Sequence, residues 1–397
     1  MLYFCVQYFN LTAKLQIILK ICKFFKIYFI FFCIFHKKVV ILQSQIAKNM
    51  KKTFLFALIA LVLTSCGKSG ERLLTSATGS IYECLVVTPK MPQVTHEVRE
   101  TMGADMYGLP QMEPYFTVTT ITTAQFDDMF KSTRNILIVD INEQKYTHVK
   151  LLKSRDMWSK PQALIRIQAP SEDDFLSYWR EHGEAVREWF VREELARQVY
   201  FYRASTNKDA RARLNKQGYD LLIPEDFMLI MDTTIVNEKM VNGQMVNDEV
   251  HVLWTCNNKG PMRKDVLVYS YPYTAQEQFG NEALIAKRNE VLGRLVTAQV
   301  PGSHMGTEFK HFPPVTHSVP ALRDTVGGFY AMETRGLWKM LDGEAMGGPF
   351  VSLTRLDQVK GRVVTAETFL FAAGQKKRNA LRQCEAILYS LEMPNER

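Results

Sequence analysis

The chain has 397 residues, 47% of them hydrophobic and 23% charged, with a formal net charge of +8. Residues 1–65 hold nine lysines and no acidic residue, so the part from Cys66 onward carries 40 basic against 41 acidic side chains, a net of −1. That balance excludes a nucleic-acid surface, which needs a clustered basic excess, and the remaining 332 residues allow two domains at roughly 150 residues each.

Residues 1–49 contain no Gly, Pro, Asp, Glu, Arg or Trp and are packed with Phe, Ile, Lys, Tyr and Leu. Such a composition is expected of translated AT-rich upstream DNA, with the true start at Met50. A membrane helix over residues 17–35 is the competing expectation. Lys20, Lys23 and Lys26 interrupt it, and the clean apolar run over 27–35 is far short of the roughly 20 residues a span needs. From Met50 the order is Lys51-Lys52, an apolar run, then Leu63-Thr64-Ser65-Cys66. This is the charged, apolar and small-residue order of a signal peptide over residues 50–65. Its end resembles the lipobox of bacterial lipoproteins, which implies cleavage before Cys66 and acylation of that cysteine with chains such as palmitate. Residues 66–79, polar and rich in Gly, Ser and Thr, read as a tether of at most about 45 Å.

Strands are expected at residues 81–88, ended by Pro89, and at 115–121, with an irregular stretch over 93–114 between them. Residues 123–132 read as a short helix carrying Phe126, Met129 and Phe130 on one side. Asn135–Ile141 is a near-continuous apolar run, the pattern of a central strand buried on both faces. Strands at 147–153 and 162–168 follow. Ser171 with Asp174 three residues on opens a long helix whose core stripe is Phe175, Trp179, Val186 and Phe190. Arg180 with Glu184, and Glu188 with Arg192, lie four apart on its outer face and read as solvated pairs. Residues 206–218 form a helical hinge ended by Gly218.

A second sheet is expected from residues 220–223, 227–236, 250–256 and 266–271, with Asn242-Gly243 as a hairpin turn. A helix follows over 281–296, then strands near 305–311, 328–338, 349–357 and 362–371. Leu381, Cys384, Leu388 and Leu391 mark the apolar stripe of a closing helix. Strand runs with few helices predict an α+β fold: two sheet-and-helix domains, largely antiparallel, over residues 80–205 and 206–391. The second is similar in element order to PsbP- and Mog-type sheets, a likeness of fold and not of function.

Once the leader and Cys66 are set aside, Cys84, Cys256 and Cys384 remain, with no CxxC pair. They read as buried small hydrophobes, although an oxidising compartment permits one disulfide. The chain has no GxSxG elbow, Walker loop, GxGxxG after a strand or HExxH, and no cofactor is expected. The nearest approach to a metal cluster is His304, Glu308, His311 and His317. On a strand His304 and Glu308 share a face and His311 does not, so no metal is expected there. Candidate binding residues are Trp158 and Gln162 in a loop, and Tyr271, Tyr273, Arg335 and Trp338, beside Lys339. Trp and Tyr pack flat against sugar rings and Arg forks to carboxylates, while the plainer expectation for the strand aromatics is core packing. Lys376, Lys377 and Arg378 open the last helix against its dipole, and read as a solvated run or as a contact for acidic headgroups or an anionic partner.

Several strings carry a resemblance to one family: Arg134-Asn135-Ile136-Leu137, Trp158-Ser159-Lys160-Pro161-Gln162, Tyr269-Ser270-Tyr271-Pro272-Tyr273-Thr274, Ala286-Lys287-Arg288, Arg335-Gly336-Leu337-Trp338-Lys339 and Gly347-Gly348-Pro349-Phe350. Over residues 66–391 the chain resembles an uncharacterised lipoprotein family of Bacteroides-type bacteria, a domain of unknown function. In lipoproteins of these bacteria, acidic residues directly after the lipidated cysteine direct display outside the cell. Here Gly67-Lys68-Ser69-Gly70 intervene, which implies an outer-membrane anchor with the body in the periplasm. The expected role is a non-enzymatic one, binding a partner protein or envelope polymer. The alternatives are an envelope hydrolase working through residues 304–317, and a glycan-binding module using Trp158, Tyr271 and Tyr273.

Overall fold

The computed structural model describes residues 74–241, 244–320, 322, 330–343 and 345–393, and these fall in one compact unit. The architecture is α+β. A five-stranded sheet has the order β3 (Thr117–Thr122), β2 (Glu83–Thr88), β4 (Asn135–Ile141), β7 (Ala163–Ala169), β5 (Lys150–Arg155). β4 is central, as its apolar run predicts, and a separate parallel ladder pairs β1 (Thr75–Ser76) with β6 (Ser159–Lys160). Three of the four pairings are parallel and only β5–β7 is antiparallel, so this smaller sheet departs from the antiparallel rule of the larger one. Parallel neighbours need a crossover. Helix α1 (Pro92–Met102) supplies it between β2 and β3 within the stretch expected to be irregular. Its Val94, Val98 and Met102 repeat every four residues and are buried, and Pro92 sits in the first turn, where its missing N–H costs nothing.

Helix α2 (Glu172–Tyr202) lies over the same face of the sheet. The Ser171 hydroxyl accepts from Asp174 N at 3.2 Å, the cap expected from sequence. Trp179 Nε1 donates to Glu97 O and Thr101 Oγ1 of α1, and Gly183 lets the two helices close on the indole: a Cβ there would stand 2.9 Å from the Trp179 ring. Arg180, expected beside Glu184, reaches Glu97 of α1 at 3.5 Å. On the opposite face Leu85, Val87, Ile136, Ile138 and Leu164 form a small core closed by Phe126, Phe130 and Trp158. Residues 123–132 are not the expected α-helix. Two single 3-10 turns, Thr123–Gln125 and Phe130–Ser132, bracket Asp127, whose carboxylate accepts from Met129 N and Phe130 N and diverts the backbone from helical bonding.

The larger sheet is antiparallel throughout. It runs β11 (His304–Thr307), β13 (Tyr330–Leu341), β14 (Gly347–Asp357), β15 (Arg362–Phe371), β10 (Arg263–Pro272), β9 (Gln244–Asn257), β8 (Met228–Val241), with β12 (Val315–Pro320) also on β13. Asn242 and Gly243 lie outside the described residues, and β8 and β9 pair up to Val241 and Gln244 on either side of them. α4 (Asn281–Leu295) covers one face over Tyr269, Tyr271, Trp338 and Phe350, and α5 (Arg378–Leu388) covers the other. The hinge helix α3 (Lys208–Gln217) ends at Gly218, whose φ of 98° needs glycine. Residues 220–223 are not a strand of the sheet: Asp220 makes a single bridge to Glu392, with Leu221 and Ile223 buried around it. One core joins the two sheets, running from Val86, Leu137 and Ile165 through Phe190 of α2 to Leu381 and Leu388 of α5 and Val268 of β10. Among the described residues no helix is long and apolar enough to cross a membrane.

Candidate functional site: a basic cleft beside α2

The structure does not gather the sequence-derived candidates into one exposed surface. Trp158 is half-buried, edge-on to Phe126 with centroids 5.7 Å apart, and Lys131 Nζ stands 5.9 Å from its ring. Gln162 is buried and pins the loop: its Nε2 donates to the carbonyls of Lys131 and Thr133 at 2.7 and 2.8 Å, and its Oε1 accepts from Trp158 N. Tyr271 is buried beneath α4, stacked on Tyr269, with Lys287 Nζ 5.0 Å from its ring, and burial pushes its phenol well above the usual range. Tyr273 packs on Phe279. Trp338 is buried in the same core and donates to Leu370 O at 3.0 Å. Arg335, three residues earlier on β13, faces the opposite side of the sheet. There it bonds Glu333 at 2.6 Å and Glu385 of α5 at 2.7 Å.

Residues 304–317 do not form one site. The strand expected over 305–311 stops at Thr307, because the Glu308 carboxylate accepts from Lys310 N and His311 N and turns the chain. The Lys339 ammonium, 2.7 Å away, and those N–H groups hold Glu308 down to about 2. His304 pairs opposite Leu341 and His317 opposite Glu333, eight residues apart on the same strand. At about 3.4 Å per residue that is on the order of 27 Å. Among the described residues no group of three or more His, Cys, Asp or Glu side chains is gathered to hold a metal.

Lys377 and Arg378 are not a solvated run. Both are buried, and their backbone N–H groups donate to the two oxygens of the Glu113 carboxylate at 2.7 and 3.1 Å. Glu113 thus supplies the negative charge that the first turn of α5 lacks in its own sequence. Arg378 Nη1 reaches Pro114 O at 2.9 Å, and Lys376 alone of the three is exposed. Cys84, Cys256 and Cys384 are free and buried. Cys66 lies outside the described residues.

A cleft of about 930 Å³ runs along α2, and no sequence motif announced it. Lys153, Ser154 and Arg155 of β5 form one wall, with Lys160 and Pro161 of the Trp158 loop at its end. Trp189, Arg192, Glu193, Arg197 and Tyr200 form the other. These helix positions repeat every three or four residues over three turns, roughly 16 Å, and are offset from the buried stripe of Phe175, Trp179, Val186 and Phe190. The sequence signal was this second stripe, which by itself reads as an ordinary solvated face.

Five of the described lining side chains are cationic and one is acidic. The acid, Glu193, is held from above by the Arg155 fork at 2.6 to 3.0 Å. Lys153 lies 5.6 Å from the Trp189 ring, and Lys160 is 71% exposed with its nearest carboxylate, Asp156, 3.9 Å away. At the inner end Arg197 is fixed by the carbonyls of Glu193 and Arg134 and by the Asn135 side chain. Burial, and the neighbouring Arg134 charge, lower its affinity for its proton, although a guanidinium stays charged at any physiological pH. Beneath it Arg134 forks to Glu194 at 2.9 and 2.7 Å and Asn135 donates to the same carboxylate, so the floor is a neutralised, rigid network. Lys153 and Lys160 are therefore the cations at the mouth best placed to meet an incoming anion.

Fold and site together define an α+β protein with a basic cleft at the edge of its smaller sheet. Residues 77–202 match the family model of one domain of unknown function, DUF8532, and residues 206–390 match that of a second, DUF4837. No curated protein matches the chain.

Proposed function

We propose that the protein is a lipid-anchored envelope protein, attached to the outer membrane through acylated Cys66 and facing the periplasm, whose cleft along α2 binds an anionic partner. The anchor is supported by the Lys51-Lys52, apolar, Leu63-Thr64-Ser65-Cys66 order and by the tether over residues 66–79. The binding role is carried by one observation: among the described lining residues of the cleft, five are cationic and one is a carboxylate, in a chain whose body is otherwise close to neutral. Concave walls of one sign concentrate field and attract the opposite charge. A catalytic role through residues 304–317 has no comparable support, since the register holds His304 and His317 far apart.

The test is retention on an immobilised polyanion. The full chain should bind at low salt and elute as salt rises. Lys153→Glu with Lys160→Glu, both at exposed positions, should weaken binding at least tenfold, about 1.4 kcal/mol. Retention equal to that of the parent would refute the reading.

A further inference from the structure

A second cavity, of about 590 Å³, lies by β3, at the edge of the smaller sheet opposite β5. Its described lining comes entirely from positions 88–125 and shares no residue with the cleft along α2. β2 and β3 run parallel and finish level, Thr88 beside Thr122. The cavity opens where they end, between them and the start of α1. Where strands run parallel, ligands enter outside these carboxyl ends. We infer that this cavity binds a phosphate monoester, with Lys90, Arg99 and the first N–H groups of α1 holding the phosphate and the strand ends meeting the ester group. The inference goes beyond the reading of the α2 cleft and does not depend on it.

Three observations carry it. The first is unspent charge. Lys90, His96 and Arg99 line the cavity at exposed positions, and among the described residues none of their side chains has an ion pair or a hydrogen bond. One acid, Glu100, lines it with them, while Glu97 is drawn away to Arg180 of α2 at 3.5 Å. His96 and Arg99 lie three apart on one face of α1, and helical side chains tilt back toward the helix start, beside Lys90. The second is the start of α1 itself. Thr88 Oγ1 and Thr95 Oγ1 are 3.0 Å apart and the Thr95 hydroxyl donates to Met91 O at 3.0 Å, which ties the first turn to the end of β2. These hydroxyls place the turn without capping it: α1 has no side-chain cap and no acid in its first turn. The N–H groups of Gln93 and Val94 are therefore left for an anion. The third is unmet polar groups in the wall. Thr120, on the same face of β3 as Thr122, has its hydroxyl oxygen buried without a partner among the described residues. Thr122 N and Oγ1 both donate to Gln125 Oε1, at 2.9 and 2.8 Å, which leaves the Gln125 amide donors unspent. Native folds leave few such groups unmet. Ammonium, guanidinium and backbone N–H groups only donate, and a phosphate monoester answers them with three strong acceptor oxygens. The volume is that of a small-molecule site, roughly 300 to 1,000 Å³, and leaves room for the esterified group.

The experiment titrates the full chain with glycerol 3-phosphate, and with glycerol and sodium sulfate at matched ionic strength. Glycerol 3-phosphate should bind and shift the Gln93, Val94 and Thr122 amide resonances, and glycerol and sulfate should each bind at least tenfold more weakly. Lys90→Ala and Arg99→Ala, both at exposed positions, should each weaken binding at least tenfold with circular dichroism unchanged. Lys145→Ala, exposed and outside the cavity, should bind as the parent does. Sulfate binding as tight as that of glycerol 3-phosphate, or undiminished binding by the Lys90→Ala and Arg99→Ala proteins, overturns the inference. A second arm separates a soluble ester from a lipid headgroup. It mixes the Cys66→Ser chain, which has no acylation site, with vesicles containing phosphatidic acid or phosphatidylglycerol. Binding of glycerol 3-phosphate assigns a soluble ester. Sedimentation with phosphatidic acid alone, dependent on Lys90 and Arg99 and without binding of glycerol 3-phosphate, assigns a lipid. Binding of neither probe overturns the inference and leaves the α2 cleft to its own test through Lys153 and Lys160.

Discussion

Glu113 is the residue whose removal tests most directly how the two sheets are held together. Its side chain is 6% exposed and each carboxylate oxygen takes one backbone N–H at the start of α5, 264 and 265 residues further along the chain. Replacing it by alanine strands two buried donors and removes a negative charge from the positive end of the helix. A bond to a charged group contributes about 1.5 to 3 kcal/mol, and the dipole a further 0.3 to 1 kcal/mol or so. The two bonds share one carboxylate and are not independent, so the sum is discounted to roughly 2 to 4 kcal/mol for Glu113→Ala. Glu113→Gln retains one acceptor oxygen without the charge and should cost about half as much. Against a total stability of about 5 to 15 kcal/mol, both shifts are large. Urea unfolding followed by circular dichroism and tryptophan fluorescence measures them as a drop in midpoint at constant slope. A Glu113→Ala protein within about 0.5 kcal/mol of the parent, or a Gln variant as destabilised as the Ala variant, would refute this account of the α5 cap.

Three further outcomes are expected. Glu367 is fully buried against Arg288 of α4, its Oε2 has no hydrogen-bond partner, and burial raises its pKa from 4.5 to about 7. In this window the folded state holds a proton that the unfolded state has lost, so this group makes stability fall as pH rises from 4.5 to about 7; Glu367→Gln should flatten that slope in pH-resolved urea unfolding, and an unchanged slope would remove Glu367 as its source. The proposed anchor predicts that Cys66→Ser releases the protein from membranes without unfolding it, since two acyl chains suffice for stable attachment; continued sedimentation with membranes at high salt would require another anchor. Protease added to whole cells should spare the parent protein and digest it once the outer membrane is opened, and digestion in intact cells would reverse the proposed orientation.

Much of the fold was legible because its signals are local. Ser171 three residues before Asp174, Gly218 after an amphipathic turn, and the near-continuous apolar run of Asn135–Ile141 each declare themselves within one turn or one strand. α1 was the exception. Its Val94, Val98 and Met102 stripe was present, but the polar residues between them, with no acid in the first turn, masked it. Residues 123–132 erred the other way: a helical spacing of Phe126, Met129 and Phe130 was overruled by one Asp127 side chain competing for backbone N–H groups.

The candidate site was less legible, because charge says little about position until the chain is folded. Sequence alone established that the basic excess belongs to residues 1–65, that the rest of the chain is α+β, and that Asn135–Ile141 is a central strand. Only the tertiary structure decided that β2, β3 and β4 run parallel, since strand direction depends on crossovers and not on composition. It also decided that His304 and His317 lie far apart on one partner strand, and that Lys377 and Arg378 are buried against Glu113. Most consequentially, it set Lys153 and Arg155 across from Arg192 and Arg197. Those residues lie some forty positions apart on a strand and a helix, each unremarkable on its own element, and a cleft exists only where packing turns the two elements toward each other.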